Sequence, residues 1–451
     1  MIPPAPWDTL PALSDTLREV VNDMEEKTLI VGCDVHQKTI CFCLLDKATG
    51  QPVAAPFTLP NDRFGAEQAI QTLQRLLSHH RYTRLEVGME ATGFFWLPFY
   101  RAIERSDLLA PFHPRLVLFN PKLVAHFKKG LDLSPNKTDN RDARAVAERL
   151  RFGRLPVTHV PDDFWQGLRR LTRYRYHLAH DLAREKVRFV TYLFLKLSAW
   201  AQIQPTSDLL GATSAALLTE FTADDLVQMP LTALADFIAR RGRHQFDDPE
   251  ATAQKVREAL RRSYPVTPEL DGAVTFSLSL MRDHIRHLEQ LLKRLDREIA
   301  RWIEGVPNPL ETVVGLGPVV CAGILAEVGD IRRFPGHPQL AAYMGLVWKR
   351  RQSGSFRAED TPRVSGGNPY LRYYITLGAN NLRQHNLEYK AYYWRKYRET
   401  PHHKHKRALV LTGRKLTRLV YTLLAKNTAY AIPQTVLKNG EEVALLMAEV
   451  G

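Results

Sequence analysis

The stretch that most constrains the fold lies between residues 28 and 60. Three short apolar runs, TLIVGCDV (28–35), TICFCLLD (39–46) and VAAPFTLP (53–60), follow one another there with few residues between them. Runs this short, rich in Val, Ile and Cys, predict three closely spaced strands. A helix-period segment from about Phe64 to His79 comes next, then the strand-like LEVGMEA, a helical FFWLPFYRAIERS, the apolar RLVLFN and a helix beginning near Thr138. The order βββαβαβα, a meander followed by alternation, predicts an α/β domain.

That order is the element sequence of an RNase H-like domain, although a fold by itself carries no chemistry. A chain of 451 residues exceeds what one core usually organises, so two or three domains are expected. Apolar and aromatic residues recur at three- and four-residue intervals from Asp163 to about Gln202 and again over 274–303, which predicts two long helices packed as an antiparallel, coiled-coil-like pair. The resulting scheme is an extension (1–26), an RNase H-like domain (27–158), a helical region (159–306) with an insertion at about 204–270, a mostly α C-terminal domain (307–430) and a tail (431–451). The C-terminal domain opens on a Gly-rich helical hairpin, LETVVGLGPVVCAGILAEVGDI, and ends in basic helices reaching about Tyr430.

Lys and Arg number 62 against 48 Asp and Glu, a net charge of +14, which favours a polyanionic partner such as nucleic acid. The four cysteines, Cys33, Cys41, Cys43 and Cys321, form no C-x-x-C pair, and three fall in strand-like runs. A reduced, intracellular protein is the expectation. No uncharged run approaches the roughly 20 residues of a membrane span, and the first 26 residues are acidic rather than signal-like, so a cytoplasmic location is expected. A G-x-x-x-x-G-K-[ST] phosphate loop is missing from the sequence, which argues against nucleoside-triphosphate chemistry.

Four acids stand out. Asp34 ends the first strand in VGCDVHQK, and an aspartate in an apolar strand is costly unless a metal or a salt bridge compensates it. Glu90 ends the fourth strand in EVGMEATG, where Thr92 and Gly93 allow a sharp turn. Asp139 and Asp142, in NKTDNRDARAVAERL, are three apart at a helix start and share a face; helix capping would account for one of them. Four carboxylates from two strand ends and one helix suit a pair of hard cations such as Mg²⁺, which can hold the attacking and leaving oxygens of a phosphodiester.

With these residues in view, the sequence resembles the DEDD-type insertion-sequence transposases, the bacterial mobile-element recombinases that include the pilin-gene invertase and the bridge-RNA-guided enzymes. The matching text is VGCDVHQKT, GMEATG, FNPKLVAHF and NKTDNRDARAVAERL, then VGLGPVVCAGILAEVGDIRRF, LAAYMGL, RQSGS and SGGNPYLR, which together span about 28–155 and 307–425. The resemblance implies that Asp34, Glu90, Asp139 and Asp142 bind Mg²⁺, two ions per composite site. It places a nucleophilic serine at Ser353 in RQSGS, with Ser355 and Ser365 as alternatives. It further implies a covalent phosphoserine link to DNA, a structured bridge RNA as guide, and a homodimer or tetramer with sites shared between subunits. Where the family has Lys before the Gly-Asn pair, this chain reads Ser365, Gly366, Gly367, Asn368.

Nucleic-acid contacts are expected from several places. Arg350, Arg351 and Arg357 flank the serine, Lys137 precedes the paired aspartates, and Asn368 and Arg372 lie in SGGNPYLR. Gly315 and Gly317, in a turn that resembles a helix-hairpin-helix, would let backbone N–H groups approach phosphates. Arg169, Arg170, Arg173 and Arg175 share a helix with Tyr174 and Tyr176, and Tyr389, Tyr392, Tyr393, Trp394 and Tyr397 alternate with basic residues, a mixture suited to backbone charge and base stacking. The plainer alternative for both helices is one packed aromatic face and one solvated basic face. HHKHKR (402–407) is read as a phosphate or solvent contact rather than a metal site. Two other functions fit the same residues: a structure-selective endonuclease that uses activated water instead of serine, and a nucleic-acid-binding protein whose acids are structural.

Overall fold

The computed structural model describes residues 27–131, 138–153, 155, 156, 158–348, 352, 353, 356, 357 and 366–431. The chain divides into two compact units, 1–160 and 161–451. The expected extension, the tail beyond residue 431, Lys137, Arg350, Arg351, Ser355 and Ser365 lie outside the described residues.

The first unit is one five-stranded mixed sheet between two helical layers. Its strands are β1 (Thr28–Val35), β2 (Thr39–Asp46), β3 (Phe57–Pro60), β4 (Arg84–Glu90) and β5 (Arg115–Phe119), in the order β3-β2-β1-β4-β5. The first three run antiparallel, and β4 and β5 add parallel to β1. The helices are α1 (Arg63–His79), α2 (Trp96–Glu104), α3 (Pro121–Leu131) and α4 (Asp139–Arg151). The third strand is shorter than expected, because the run 53–60 contains Pro56, which cannot donate to a ladder. The helix α3 was not anticipated in FNPKLVAHFKKGL.

Strand alternation divides the core. Leu29, Val31 and Cys33 face α1 and α2, together with Leu73, Leu77, Phe99 and Ile103. Ile30, Cys41, Cys43, Val117 and Phe119 face the opposite way, against Ala143, Val146 and Leu150 of α4. Gly32 and Gly88 let α4 come this close. A Cβ on Gly32 would lie 2.1 Å from the Ala143 carbonyl oxygen, and one on Gly88 would lie 2.9 Å from Leu150 Cδ1. Asp34 and Glu90, two residues beyond these glycines, therefore share the face that carries α4.

Among its described residues the second unit is helical apart from one short ladder. Two long helices, α5 (Asp163–Lys196) and, after five intervening helices, α11 (Pro268–Ile303), run antiparallel: Gly167 lies opposite Trp302, Arg175 pairs with Asp296, and Lys196 with Asp271. Between them come α6 (Trp200–Ile203), α7 (Ala212–Glu220), α8 (Ala223–Gln228), α9 (Leu231–Arg241) and α10 (Pro249–Arg262), which close a core of their own around Phe189, Trp200, Leu217, Val256 and Leu278. The insertion at 204–270 is thus a small helical cap on one end of the pair.

The other end of the pair is built into the C-terminal core. Leu168, Ile299 and Ile303 pack with Leu310, Val320, Ile324 and Tyr374, so the expected boundary near 306 does not separate two cores. The remaining helices are α12 (Pro318–Val328), α13 (His337–Tyr343), α14 (Pro369–His385), α15 (Leu387–Arg398) and α16 (Lys404–Lys426). The Gly315–Gly317 turn, expected to resemble a helix-hairpin-helix, lies between a four-residue 3₁₀ turn, Pro309–Thr312, and α12, and α12 is followed by another 3₁₀ turn. No helix among the described residues is long and apolar enough to cross a membrane.

Candidate functional site

The four acids meet on the α4 face of the sheet. Asp34 comes from the end of β1, Glu90 from the end of its parallel neighbour β4, and Asp139 and Asp142 from the first turn of α4, which Thr138 caps by accepting from the Arg141 N–H. Two basic side chains tie the acids together. His36 Nε2 lies 3.1 Å from Asp34 Oδ2 and 3.5 Å from Asp139 Oδ1. Lys128 Nζ, from α3, lies 3.0 Å from Asp142 Oδ1 and 3.3 Å from Glu90 Oε1. Sequence reasoning missed both of these residues. His36 stands two residues after Asp34 in the quoted motif, and Lys128 sits on the helix that was overlooked.

The electrostatics fit a site that draws in positive charge. Burial raises the Asp34 carboxyl above its ordinary range, Asp142 pushes the same way, and His36 and Lys128 oppose this without cancelling it. The Lys128 ammonium is disfavoured by burial, but its contacts with Asp142 and Glu90 outweigh that and raise its pKa. Asp34, Glu90 and Asp142 are mostly covered, whereas Asp139 is exposed. The ligand atoms of Asp34, His36 and Asp139 all lie within 4.8 Å of one another. Carboxylate oxygens converging from rigid elements are the donor set of a divalent cation, so the residues present fit a metal centre.

The expected nucleic-acid contacts fare differently. Arg173 makes a two-pronged bond to Glu327, Nε to Oε1 at 2.6 Å and Nη2 to Oε2 at 2.8 Å, and Asn368 donates to the same carboxylate at 2.7 Å. Asn368 also caps α14, accepting from the Tyr370 and Leu371 N–H groups. Arg169 donates to the Ala326 carbonyl, Arg170 to Gln166, Arg175 to Asp296 and Tyr373, and Arg372 to the Met344 and Gly366 carbonyls. Arg173 and Asn368 are thus joined through Glu327 inside the fold, and phosphate contact by this set of groups stays a proposal.

The aromatics divide as well. Tyr174 is exposed, while Tyr176 packs among His177, His180, Tyr370 and Tyr373. Tyr389 and Tyr393 are buried, and Tyr392 lies beneath Arg395, Lys396 and Lys415. In the HHKHKR run, His405 Nδ1 is 2.7 Å from the Tyr393 hydroxyl. Gly315 has φ 101°, which glycine tolerates, and Gly317 caps α12 in open space. Ser353 belongs to the backbone ladder Gln352–Ser353 with Phe356–Arg357, in which Ser353 pairs with Phe356 and Gln352 with Arg357.

Two family models match the chain. One, described as a transposase of the DEDD IS110 type, covers residues 31–195, and another, the transposase IS116/IS110/IS902 family, covers 308–394; together they account for just over half of the chain. An insertion element IS116 uncharacterized 44.8 kDa protein of Streptomyces clavuligerus is 26% identical over 321 residues, 69% of this chain and 77% of that protein. A probable family 20 transposase of Pseudomonas aeruginosa is 31% identical over 102 residues, 22% of this chain and 30% of the other. A solved Ppx/GppA family member from Aquifex aeolicus aligns with 59% of this chain and 99% of its own at 10% identity, but its TM-score of 0.18 carries no argument.

Proposed function

This chain belongs to the IS116/IS110 family of insertion-element transposases, and from that membership we propose that it exchanges DNA strands by metal-dependent phosphodiester transfer through a serine-linked intermediate. The observation that carries this reading is the convergence of Asp34, Glu90, Asp139 and Asp142 from two parallel strand ends and one helix start. The strand order β3-β2-β1-β4-β5, three antiparallel and two added parallel, supports an RNase H-like domain as the scaffold.

Mg²⁺ held by these carboxylates would supply charge neutralisation at the attacking and leaving oxygens of a phosphodiester. The protein's own part is to hold the acids on one face and to provide the nucleophile. Ser353 forms the new P–O bond to DNA as the scissile P–O bond breaks, and the freed strand end takes up a proton as its hydroxyl. That hydroxyl, or its counterpart on the exchanged strand, later attacks the phosphoserine and restores the serine. Because the phosphodiester is conserved in the covalent link, no nucleoside triphosphate enters. Arg350, Arg351 and Arg357 are proposed to hold the phosphate, a homodimer or tetramer to form the composite site, and an element-encoded structured RNA to guide target choice.

The test is to incubate the full-length protein with Mg²⁺, RNA transcribed from the element's flank and end-labelled junction DNA, then separate the products on a denaturing gel. Label attached to wild-type protein and lost in Ser353→Ala, with DNA binding retained, is the expected result. Cleaved DNA with no adduct would replace the serine mechanism by hydrolysis. Adducts in both proteins would move the nucleophile to Ser355 or Ser365.

A further inference from the structure

The acid cluster is held shut in two unequal halves. In one, Lys128 spans Glu90 and Asp142 with contacts of 3.3 and 3.0 Å. A dication entering there must expel an ammonium that both carboxylates already hold. In the other, the His36 imidazole spans Asp34 and Asp139 through the same nitrogen, Nε2. A dication entering there meets no ammonium, and the Nε2 of a neutral imidazole can itself present a lone pair to the ion.

His36 is also well placed to stay. It sits in the turn between β1 and β2, where its N–H donates to the Thr39 carbonyl at 2.8 Å and its own carbonyl accepts from Asn61 Nδ2 at 2.8 Å. Asn61 Nδ2 lies in turn 3.1 Å from the Phe95 carbonyl. The backbone of the turn is thus fixed from both sides, and the ring reaches the two aspartates from a rigid base.

We propose that His36 is a metal ligand, and that the first divalent cation to enter is held by Asp34, Asp139 and the His36 imidazole rather than by the four carboxylates alone. The inference rests on the reading of this cluster as a metal centre. On binding, the Nε2 of the neutral imidazole gives its lone pair to the ion. Its chemical consequence is selectivity: Mg²⁺ demands oxygen and dehydrates reluctantly, whereas a transition ion such as Mn²⁺ accepts an imidazole nitrogen more readily. The first site therefore prefers Mn²⁺ over Mg²⁺.

The experiment uses full-length protein and Mn²⁺ as the probe, with the protein prepared once with ordinary and once with ¹⁵N-labelled histidine. Pulsed electron paramagnetic resonance should show nitrogen coupling to bound Mn²⁺ that changes with the label. His36→Gln, checked for folding by circular dichroism, should abolish that coupling and reduce the Mn²⁺ over Mg²⁺ preference about tenfold. Bound Mn²⁺ without histidine coupling, or coupling that survives in His36→Gln, overturns the inference and leaves the metal centre standing. If wild-type protein binds no Mn²⁺ and no Mg²⁺, the metal-centre reading falls and this inference with it.

Discussion

Glu327 in the second unit and Asp34 in the first are both acids set among cations, yet their surroundings make them different kinds of group. The Glu327 side chain has no exposed surface, and both oxygens are engaged, by the two prongs of Arg173 and by Asn368. Asp34 keeps an opening to solvent and meets one atom of a half-exposed imidazole. Burial would raise the Glu327 pKa, but Arg173, Arg169 and Asn368 outweigh it and hold the carboxyl below its ordinary range, whereas burial of Asp34 wins and raises it. A planar two-pronged clamp is hard to exchange, and a single ammonium or imidazole contact can be given up to an incoming ion. The same pairing of charges therefore builds a structural joint in one unit and an exchangeable site in the other.

The comparison would break first at activity. Asp139→Asn should abolish strand exchange while shifting the urea-unfolding free energy by no more than about 1 kcal/mol, since Asp139 is exposed and its partner is half-exposed. Normal turnover in that variant would remove the acid cluster from the chemistry.

The next effect is on stability and belongs to the other cluster. Glu327→Ala strands Arg173 beside Arg169 and should cost roughly 3–5 kcal/mol in a urea titration. Because the folded pKa of Glu327 is depressed, its stabilisation is present above the ordinary carboxylate range and is lost as pH falls through the folded value. The difference between wild type and Glu327→Ala should therefore shrink in strong acid; a difference independent of pH would mean that packing, not charge, dominates there.

Gly32→Ala sharpens the account of how the acids are brought together. The added methyl would meet the Ala143 carbonyl and push α4 off the sheet, lowering stability by about 1–3 kcal/mol and weakening metal binding even though no ligand is altered. Unchanged metal affinity would show that the seating of α4 is not what sets the site. The smallest expected effect comes from Lys128→Met. Removing the resident ammonium should tighten divalent-ion binding about tenfold, roughly 1.4 kcal/mol, by calorimetric titration. Weaker binding in that variant would mean that Lys128 supports the site rather than competing for it.

The first unit was legible along the chain because each of its elements announces itself locally. The runs 28–35 and 39–46 coincide with β1 and β2, and the acids at the ends of β1 and β4 could be found because a carboxylate interrupts an apolar strand. The helix α3 carries local signals of the same kind, with Asn120 and Pro121 at its start and Leu123, Val124 and Phe127 at helical spacing. The arginines of α5 were less legible for a different reason. A run of Arg and Tyr at helical spacing looks the same whether it faces phosphate or a buried glutamate 154 residues away.

By itself the sequence determined the strand-forming runs, the two long amphipathic helices, the basic charge and the four acids, because periodicity and residue type act over a few neighbouring positions. Only the tertiary structure decided which charges are partners. Gly32 and Gly88 bring α4 onto β1 and β4 and thereby join residues more than a hundred apart, Lys128 and His36 become the basic partners of the acid cluster, and Arg173 pairs with Glu327. Electrostatic pairing depends on distance in space and on burial, and neither is a property of a local stretch of chain.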